Sequence, residues 1–281
     1  MVAVVPTFRP PEAVQDLIRT LSQACAAIVV SDDASPCTSD GILREIEQEP
    51  SVRVLRHRHN RGIARGLNDG LDRARETKYP WLLTVDQDSA ITPDYIGQLL
   101  ATAQIRVKIG ERLGALGAET INDVSGSLRY PLSGNPQNPV TEEVIQTGTL
   151  WSVDALGTLG GFNEDFGIDA VDAAACLALR QRGFTIGVAA GLALEHRLGS
   201  SRSIPVGSRT IMITGHSPER RASMIRNRLR LFPGEYAQSP RHAFRTLRRV
   251  GVNQAIGLLT ETDKSAKFKG TIQGIRGKGS R

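Results

Sequence analysis

An α/β fold with a parallel, doubly wound sheet is predicted by three observations. Short apolar runs alternate with helix-like patterns through the first half of the chain. Three of those runs end in polar or special residues that a parallel sheet gathers on one rim: Pro6-Thr7-Phe8-Arg9, Asp32-Asp33 and Asp86-Gln87-Asp88. Near residue 201 the texture changes to basic amphipathic segments, which read as an appendage.

In order, "VAVVPT" (2–7) is a buried strand, and "PPEAVQDLIRTLSQAC" is an amphipathic helix starting after prolines. "AIVVSDDAS" is a second strand running into a polar turn, followed by the helical "DGILREIEQE" and the strand "VRVL" (52–55). "GIARGLNDGLDRARE" reads as a helix that its glycines weaken. "YPWLLTVDQDS" gives a fourth strand, and a βαβαβαβ order implies ligand binding beyond the carboxyl ends of the strands. Further on, "LGALGAE" (113–119) reads as a strand and "NPQNPV" as loop. The apolar residues from Ala173 to Leu179 build a helix with Asp172 in its first turn or at its N-cap, where a carboxylate is favourable. "TIGVAAGLALEHRLG" reads as short strands that deliver His196 to a turn. "SPERRASMIRNRLRLF" and "SPRHAFRTLRRVGVNQAIGLLTE" are basic helical segments, and "KFKGTIQGIRGKGSR" is a glycine- and lysine-rich end.

Composition narrows the class. The 281 residues are 40% apolar and only 5% aromatic, so the core is expected to be aliphatic. Three cysteines, Cys25, Cys37 and Cys176, have neither zinc-type nor CxxC spacing, and their odd number argues against a disulfide framework. No run approaches the ~18 apolar residues of a membrane span, so the expected location is cytoplasmic, at most peripheral at the inner face of the plasma membrane. The net charge of +6 hides an asymmetry. Residues 201–281 carry 17 Lys+Arg against 4 Asp+Glu, whereas residues 1–200 carry 18 against 25. A basic tail suits nucleic acid or anionic lipid; the acidic body and the lack of a nucleic-acid motif speak against nucleic acid.

The aspartates of "TVDQDS" have two readings on their own: a solvated turn, or a pair of carboxylates that share a cation. The other segments weigh on that choice. "VVPTFRP", "VVSDDAS", "NRGIARGLNDG", "LLTVDQDS", "GGFNEDFGIDAVDAAACLALRQRGF" and "EHRLG" resemble, in order and over nearly the whole chain, the family 2 inverting glycosyltransferases of GT-A fold, in their rhamnosyltransferase-like branch. The resemblance implies a mixed GT-A sheet in residues 1–200, with a nucleotide-binding half at about 1–110 and an acceptor half at about 111–200. Residues 201–281 then form a basic helical appendage.

The resemblance also implies roles. Asp88 ligates Mn²⁺ or Mg²⁺, Asp86 holds the ribose or joins the metal set, and His196 is a third ligand, a nitrogen that favours Mn²⁺. Asp33 accepts from a pyrimidine N–H, with Pro6, Thr7 and Phe8 lining the base, and Arg9, Arg61, Gly62 and Gln87 complete the nucleotide-sugar side. Gly148 in "QTGTL" allows close approach to the donor sugar. Asp172 is the general base for the acceptor hydroxyl, with Asp169 as its rival or as an acceptor-gripping residue. The sequence departs from the pattern at Ala170 and at Ala173–Ala175, where relatives are bulkier, which bears on acceptor choice.

The implied partners are a nucleotide-sugar donor and a glycan or polyprenyl-linked acceptor, with an oligomer possible. The donor most in keeping with the DQDS form is dTDP-rhamnose, against UDP-galactofuranose or another UDP-hexose; a non-catalytic glycan-binding module is the alternative of another class. Membrane contact, if made, is expected through Leu229, Leu231, Phe232, Ile256, Leu258 and Leu259.

Overall fold

Alternation becomes architecture in the computed structural model, which describes residues 1–123, 126–196, 202–206, 209–213, 217–260 and 264–277. The first strands and helices are β1 (Val2–Thr7), α1 (Val14–Ala24), β2 (Ala27–Asp32), α2 (Asp40–Ile46), β3 (Val52–Arg56), α3 (Ile63–Glu76) and β4 (Trp81–Thr84). After α4 (Pro93–Lys108) come β5 (Leu113–Asp123), β6 (Gly126–Arg129), β7 (Ser133–Asn135), β8 (Asn138–Val140) and β9 (Thr149–Ser152). Helices α5 (Val153–Leu159) and α6 (Val171–Gln181) lead into β10 (Thr185–Glu195). The sheet runs β3-β2-β1-β4-β9-β5-β10-β8-β7. β1 pairs in parallel with both β2 and β4, so the chain reverses its direction of travel at β1 and leaves a crevice beyond the ends of β1 and β4. β9 enters antiparallel between β4 and β5, and the sheet is therefore mixed.

The core is mostly aliphatic, with Trp151 also fully buried: Val2 to Val5, Ile28 to Val30, Leu82 and Leu83 are all essentially inaccessible. The glycines of α3 are explained by its packing. A Cβ at Gly70 would collide with the Val4 side chain, and one at Gly66 would sit 3.1 Å from Pro6 Cβ. Helix propensity is sacrificed there for close contact with β1.

Two local expectations are corrected. "NPQNPV" is not loop throughout: β7 and β8 form a hairpin around Pro136–Gln137, with Gly134 opposite Pro139. Strands of three residues rich in turn formers leave no alternation to read. The segment 185–195 is one strand rather than several. Its partners skip from Ala118 to Thr120 while it advances from Ala189 to Ala193, and Gly191, at φ 74°, takes the irregularity as its N–H donates to Glu119 Oε2 at 2.7 Å.

The chain divides into two compact units. The first comprises 1–122, 127–167 and 171–196; the second comprises 123–126, 168–170 and 197–281. Residues 123–126 and 168–170 thus group with the second unit. That unit contains a hairpin, β11 (Arg202–Val206) with β12 (Arg209–Ile213), and helices α7 (Pro218–Gln238), α8 (Pro240–Thr260) and α9 (Lys264–Ile275). The glycine-rich end is helical as far as Ile275, and two of its glycines serve packing. Gly270 and Gly274 are four residues apart on one face, and a Cβ on either would strike the α7 backbone at Pro218 or Ala222.

Of the expected apolar face, Phe232, Ile256 and Leu258 are half-buried. Leu231 is buried, while Leu229, Tyr236, Phe244, Val252, Phe268 and Ile275 are exposed; the Leu259 side chain lies outside the described residues. Among the described residues no helix is long and apolar enough to cross a membrane, and all three cysteines are free.

Candidate active site

The site begins where β4 leaves the sheet. Val85 N–H still donates to Val4 O at 3.0 Å, after which Asp86 to Ser89 turn over, with Ser89 N–H donating to Asp86 O. Ala90 then pairs antiparallel with Glu195. That bridge brings His196, at the end of β10, to the DQDS turn across more than a hundred residues of sequence. His196 Nε2 lies 3.7 Å from Asp86 Oδ2, and its Nδ1 is 3.1 Å from Ser89 Oγ. Ser89 Oγ in turn meets Thr147 Oγ1 at 2.6 Å, and Thr147 Oγ1 accepts from Asp86 N–H at 2.9 Å.

Asp86, Asp88 and His196 each offer one ligand atom within 4.8 Å of the others. Two carboxylate oxygens and an imidazole nitrogen form a donor set that suits a divalent ion, and the nitrogen fits Mn²⁺ better than Mg²⁺. The gradient of exposure fits as well: His196 is buried, Asp86 half-buried and Asp88 exposed. The residues present therefore fit the implied metal.

Asp172 is the second residue of α6, in the first turn as expected. Its Oδ1 accepts from Ala173 N–H at 2.8 Å and its Oδ2 from Gln146 N–H at 3.2 Å. The same Gln146 donates its side-chain amide to Asp86 Oδ1 at 2.7 Å. Gly148, at φ 67°, closes this turn. A Cβ there would fall 2.7 Å from Leu194 Cδ2 and 2.9 Å from the Tyr95 hydroxyl, so the atoms that demand glycine belong to the protein's own packing.

The residues expected on the nucleotide side lie at and beyond the neighbouring strand ends. Asp33 accepts from Arg61 N–H at 2.6 Å and Gly62 N–H at 2.9 Å, which fixes its carboxylate on the rim. Gly62, at φ 83°, runs so close to Gly167 that a Cβ would lie 2.8 Å from its carbonyl oxygen. The Arg61 guanidinium reaches Glu164 at 2.9 Å, and Arg65 and Asn68 reach the same carboxylate. Gln87 grips the Phe8 backbone from both sides, accepting from its N–H at 3.0 Å and donating to its carbonyl at 3.1 Å. Phe8 is left exposed, with the Arg9 guanidinium 5.1 Å from its ring centre. Arg9 is left-handed at φ 51° and donates its N–H to Ser35 Oγ. Thr7 is buried and its hydroxyl turns to Asp32 and Ser31, while Pro6 packs against Gly66.

Behind this rim, Asp69 on α3 accepts from Ser31 Oγ at 2.6 Å, lies 2.7 Å from His57 Nε2, and is paired with Arg65. Burial pushes its carboxyl up, but the hydrogen bonds from Ser31, His57 and Arg65 together hold it below the usual range.

Asp169 belongs to the second unit. Arg220 Nε is 3.4 Å from its carboxylate, and its carbonyl accepts from the Asn227 amide at 2.7 Å. Burial raises its carboxyl pKa against the pull of Arg220, Arg226 and Arg228. Sequence reasoning missed Ser89, Gln146 and Thr147, which connect Asp86 and His196 to Asp172. Their only signal was position: Ser89 lies inside the DQDS element, and the other two precede the glycine of "QTGTL".

Known proteins resemble this chain at three levels. Residues 2–120 match the family model "Glycosyl transferase family 2". A protein of Shigella flexneri described as "dTDP-rhamnosyl transferase RfbF" is 25% identical over 240 residues, covering 80% of this chain and 77% of that protein. The S. aureus TarS fragment 1–349 in complex with UDP-GlcNAc aligns with a TM-score of 0.61 at 15% identity, over 98% of this chain and 81% of that one. A mannosyltransferase from Pyrobaculum calidifontis, solved with GDP-Man and Mn²⁺, aligns with a TM-score of 0.59 at 14% identity, over 98% and 79%. These structural likenesses show a shared GT-A fold.

Proposed function

From the premise that the chain is a family 2 glycosyltransferase of the rhamnosyltransferase-like branch, we propose that it transfers L-rhamnose from dTDP-rhamnose to a hydroxyl of a surface polysaccharide or lipid-linked glycan, with inversion and with a divalent metal. The observation that carries this reading is the set Asp86, Asp88 and His196, joined to Asp172 through Gln146. The donor rests on the relative described as a dTDP-rhamnosyl transferase.

Asp172 takes the proton from the acceptor hydroxyl as that oxygen bonds to the anomeric carbon. The bond from that carbon to the diphosphate breaks in the same displacement, and the nucleoside diphosphate leaves with its electron pair. One base suffices, since no covalent intermediate forms. Held by Asp86, Asp88 and His196, the metal would neutralise charge on the leaving diphosphate. On the nucleotide side Asp33, its carboxylate fixed by Arg61 and Gly62 N–H groups, accepts from the base, and exposed Phe8 offers a ring to it.

A thermal-shift panel of dTDP-rhamnose, UDP-sugars and GDP-sugars, each with and without Mn²⁺, tests the reading. Stabilisation that grows with ligand concentration is expected for dTDP-rhamnose with Mn²⁺. A shift confined to UDP-sugars would reassign the donor, and no shift with any nucleotide sugar would sink the proposal.

The same reading puts the acceptor at a membrane surface, and the second unit has features that suit an anionic bilayer. Phe232, Tyr236 and Phe244 pack ring to ring at 5.6–5.8 Å, and Tyr236 and Phe244 remain exposed. Arg241 and Arg248 are exposed on the Phe244 face of α8. Co-sedimentation with phosphatidylglycerol vesicles but not phosphatidylcholine vesicles, lost in Phe244→Ser, is expected; equal sedimentation with both lipids would reject it.

A further inference from the structure

The turn Gln146–Gly148 hydrogen-bonds Asp86 and Asp172 directly, and meets Ser89 through Thr147. Gln146 is buried and uses three of its groups at once. Its side-chain Nε2 donates to Asp86 Oδ1 at 2.7 Å, its backbone N–H donates to Asp172 Oδ2 at 3.2 Å, and its carbonyl accepts from Thr84 Oγ1. The turn is anchored on β4 by Gly148 N–H, which donates to Thr84 O at 2.8 Å, and on α4 by the Tyr95 hydroxyl, which donates to Gly148 O at 2.6 Å.

We infer that Gln146 is a positioning residue, which orients the Asp86 carboxylate toward His196 and fixes it relative to Asp172. The inference rests on the metal-dependent reading above. The torsion that turns a carboxylate about its last bond is soft, so the carboxylate needs an external reference. A donor held at Oδ1 supplies one, and Oδ2 then points to His196 Nε2. An amide is the group for this task. Only its nitrogen can donate to a carboxylate, whereas a Glu at 146 would place a second negative charge beside Asp86. Because the backbone of the same residue holds Asp172, the distance between metal set and base is set by one buried residue rather than by two independent loops.

The test is a Mn²⁺ titration of the full chain without donor, with Gln146→Met and Gln146→Asn beside the parent. Met keeps the length and the packing and removes the donor; Asn keeps the amide and shortens its reach. Both should raise the Kd for Mn²⁺ about tenfold, while the metal-free Tm stays close to the parent's. Transfer by both variants should recover at saturating Mn²⁺, a rescue that a merely structural role would not show. If the parent binds Mn²⁺ and both variants keep its Kd within twofold, or if saturating Mn²⁺ restores nothing, the inference fails while the metal reading stands. A parent that does not bind Mn²⁺ overturns both.

Discussion

Ser89 Oγ sits 3.1 Å from His196 Nδ1 and thereby turns the other ring nitrogen, Nε2, toward Asp86. The serine is itself held by Thr147 at 2.6 Å, so the ring inherits its orientation from the 146–148 turn.

Such outer hydrogen bonds fix both the tautomer and the aim of a ligating histidine. Ser89→Ala is expected to weaken Mn²⁺ binding about tenfold, with transfer restored by excess Mn²⁺. Calorimetric titration of Mn²⁺ into the parent and the variant checks this, and an unchanged Kd would remove Ser89 from the site.

Asp172 is the group assigned to the acceptor proton. Asp172→Asn keeps the shape and an oxygen to accept from Gln146 N–H but loses basicity. Transfer should fall by about 10²–10⁴-fold, while the thermal shift produced by donor plus Mn²⁺ is retained. Donor turnover to an acceptor at the parent rate would mean that another group is the base.

Much of this site was legible because residues of special chemistry stand at strand ends. Asp33, Asp86 and Asp88 each follow an apolar run, and a parallel sheet alone suffices to gather them. His196 was harder, since its approach to Asp86 depends on the Ala90–Glu195 bridge and on the bulge at Gly191, neither of which leaves a periodic trace. Gln146 and Thr147 were invisible for a different reason. They precede a strand that inserts antiparallel between β4 and β5, and insertion order is a long-range property that local pattern does not encode. The α9 helix shows the converse: a segment legible only as a glycine- and lysine-rich end forms a helix whose glycines meet α7.

Gly70 offers a test in which propensity and packing oppose each other. Replacing a mid-helix glycine with alanine favours the helix by about 1 kcal/mol. Here the added methyl meets the Val4 side chain in the core, and overpacking typically costs about 1–3 kcal/mol. The clash should win, so Gly70→Ala is expected to lower the Tm by a few degrees. Gly97, on α4, has open space where a methyl group would project, and Gly97→Ala is expected to raise the Tm. Differential scanning calorimetry of the two variants decides the matter, and a stabilised Gly70→Ala would refute the packing account of α3.

Asp69 gives the stability a pH dependence whose sign is fixed by its surroundings. Its carboxyl pKa lies below the usual value in the folded chain, whereas in the unfolded chain it returns to about 3.9. The ionised form is therefore favoured by folding. Its contribution is fully present above the unfolded value and disappears as pH falls through the lower, folded one. Asp69→Asn removes that contribution along with the charge pairing to Arg65, and leaves one acceptor oxygen where the carboxylate has two for Ser31, His57 and Arg65. Urea unfolding of parent and variant should show the parent clearly more stable near pH 7, with the gap narrowing below about pH 4. A gap that stayed constant down to the acid transition would mean that Asp69 stabilises α3 through hydrogen bonds that do not depend on its charge, and that its charge contributes nothing to holding the rim behind Asp33.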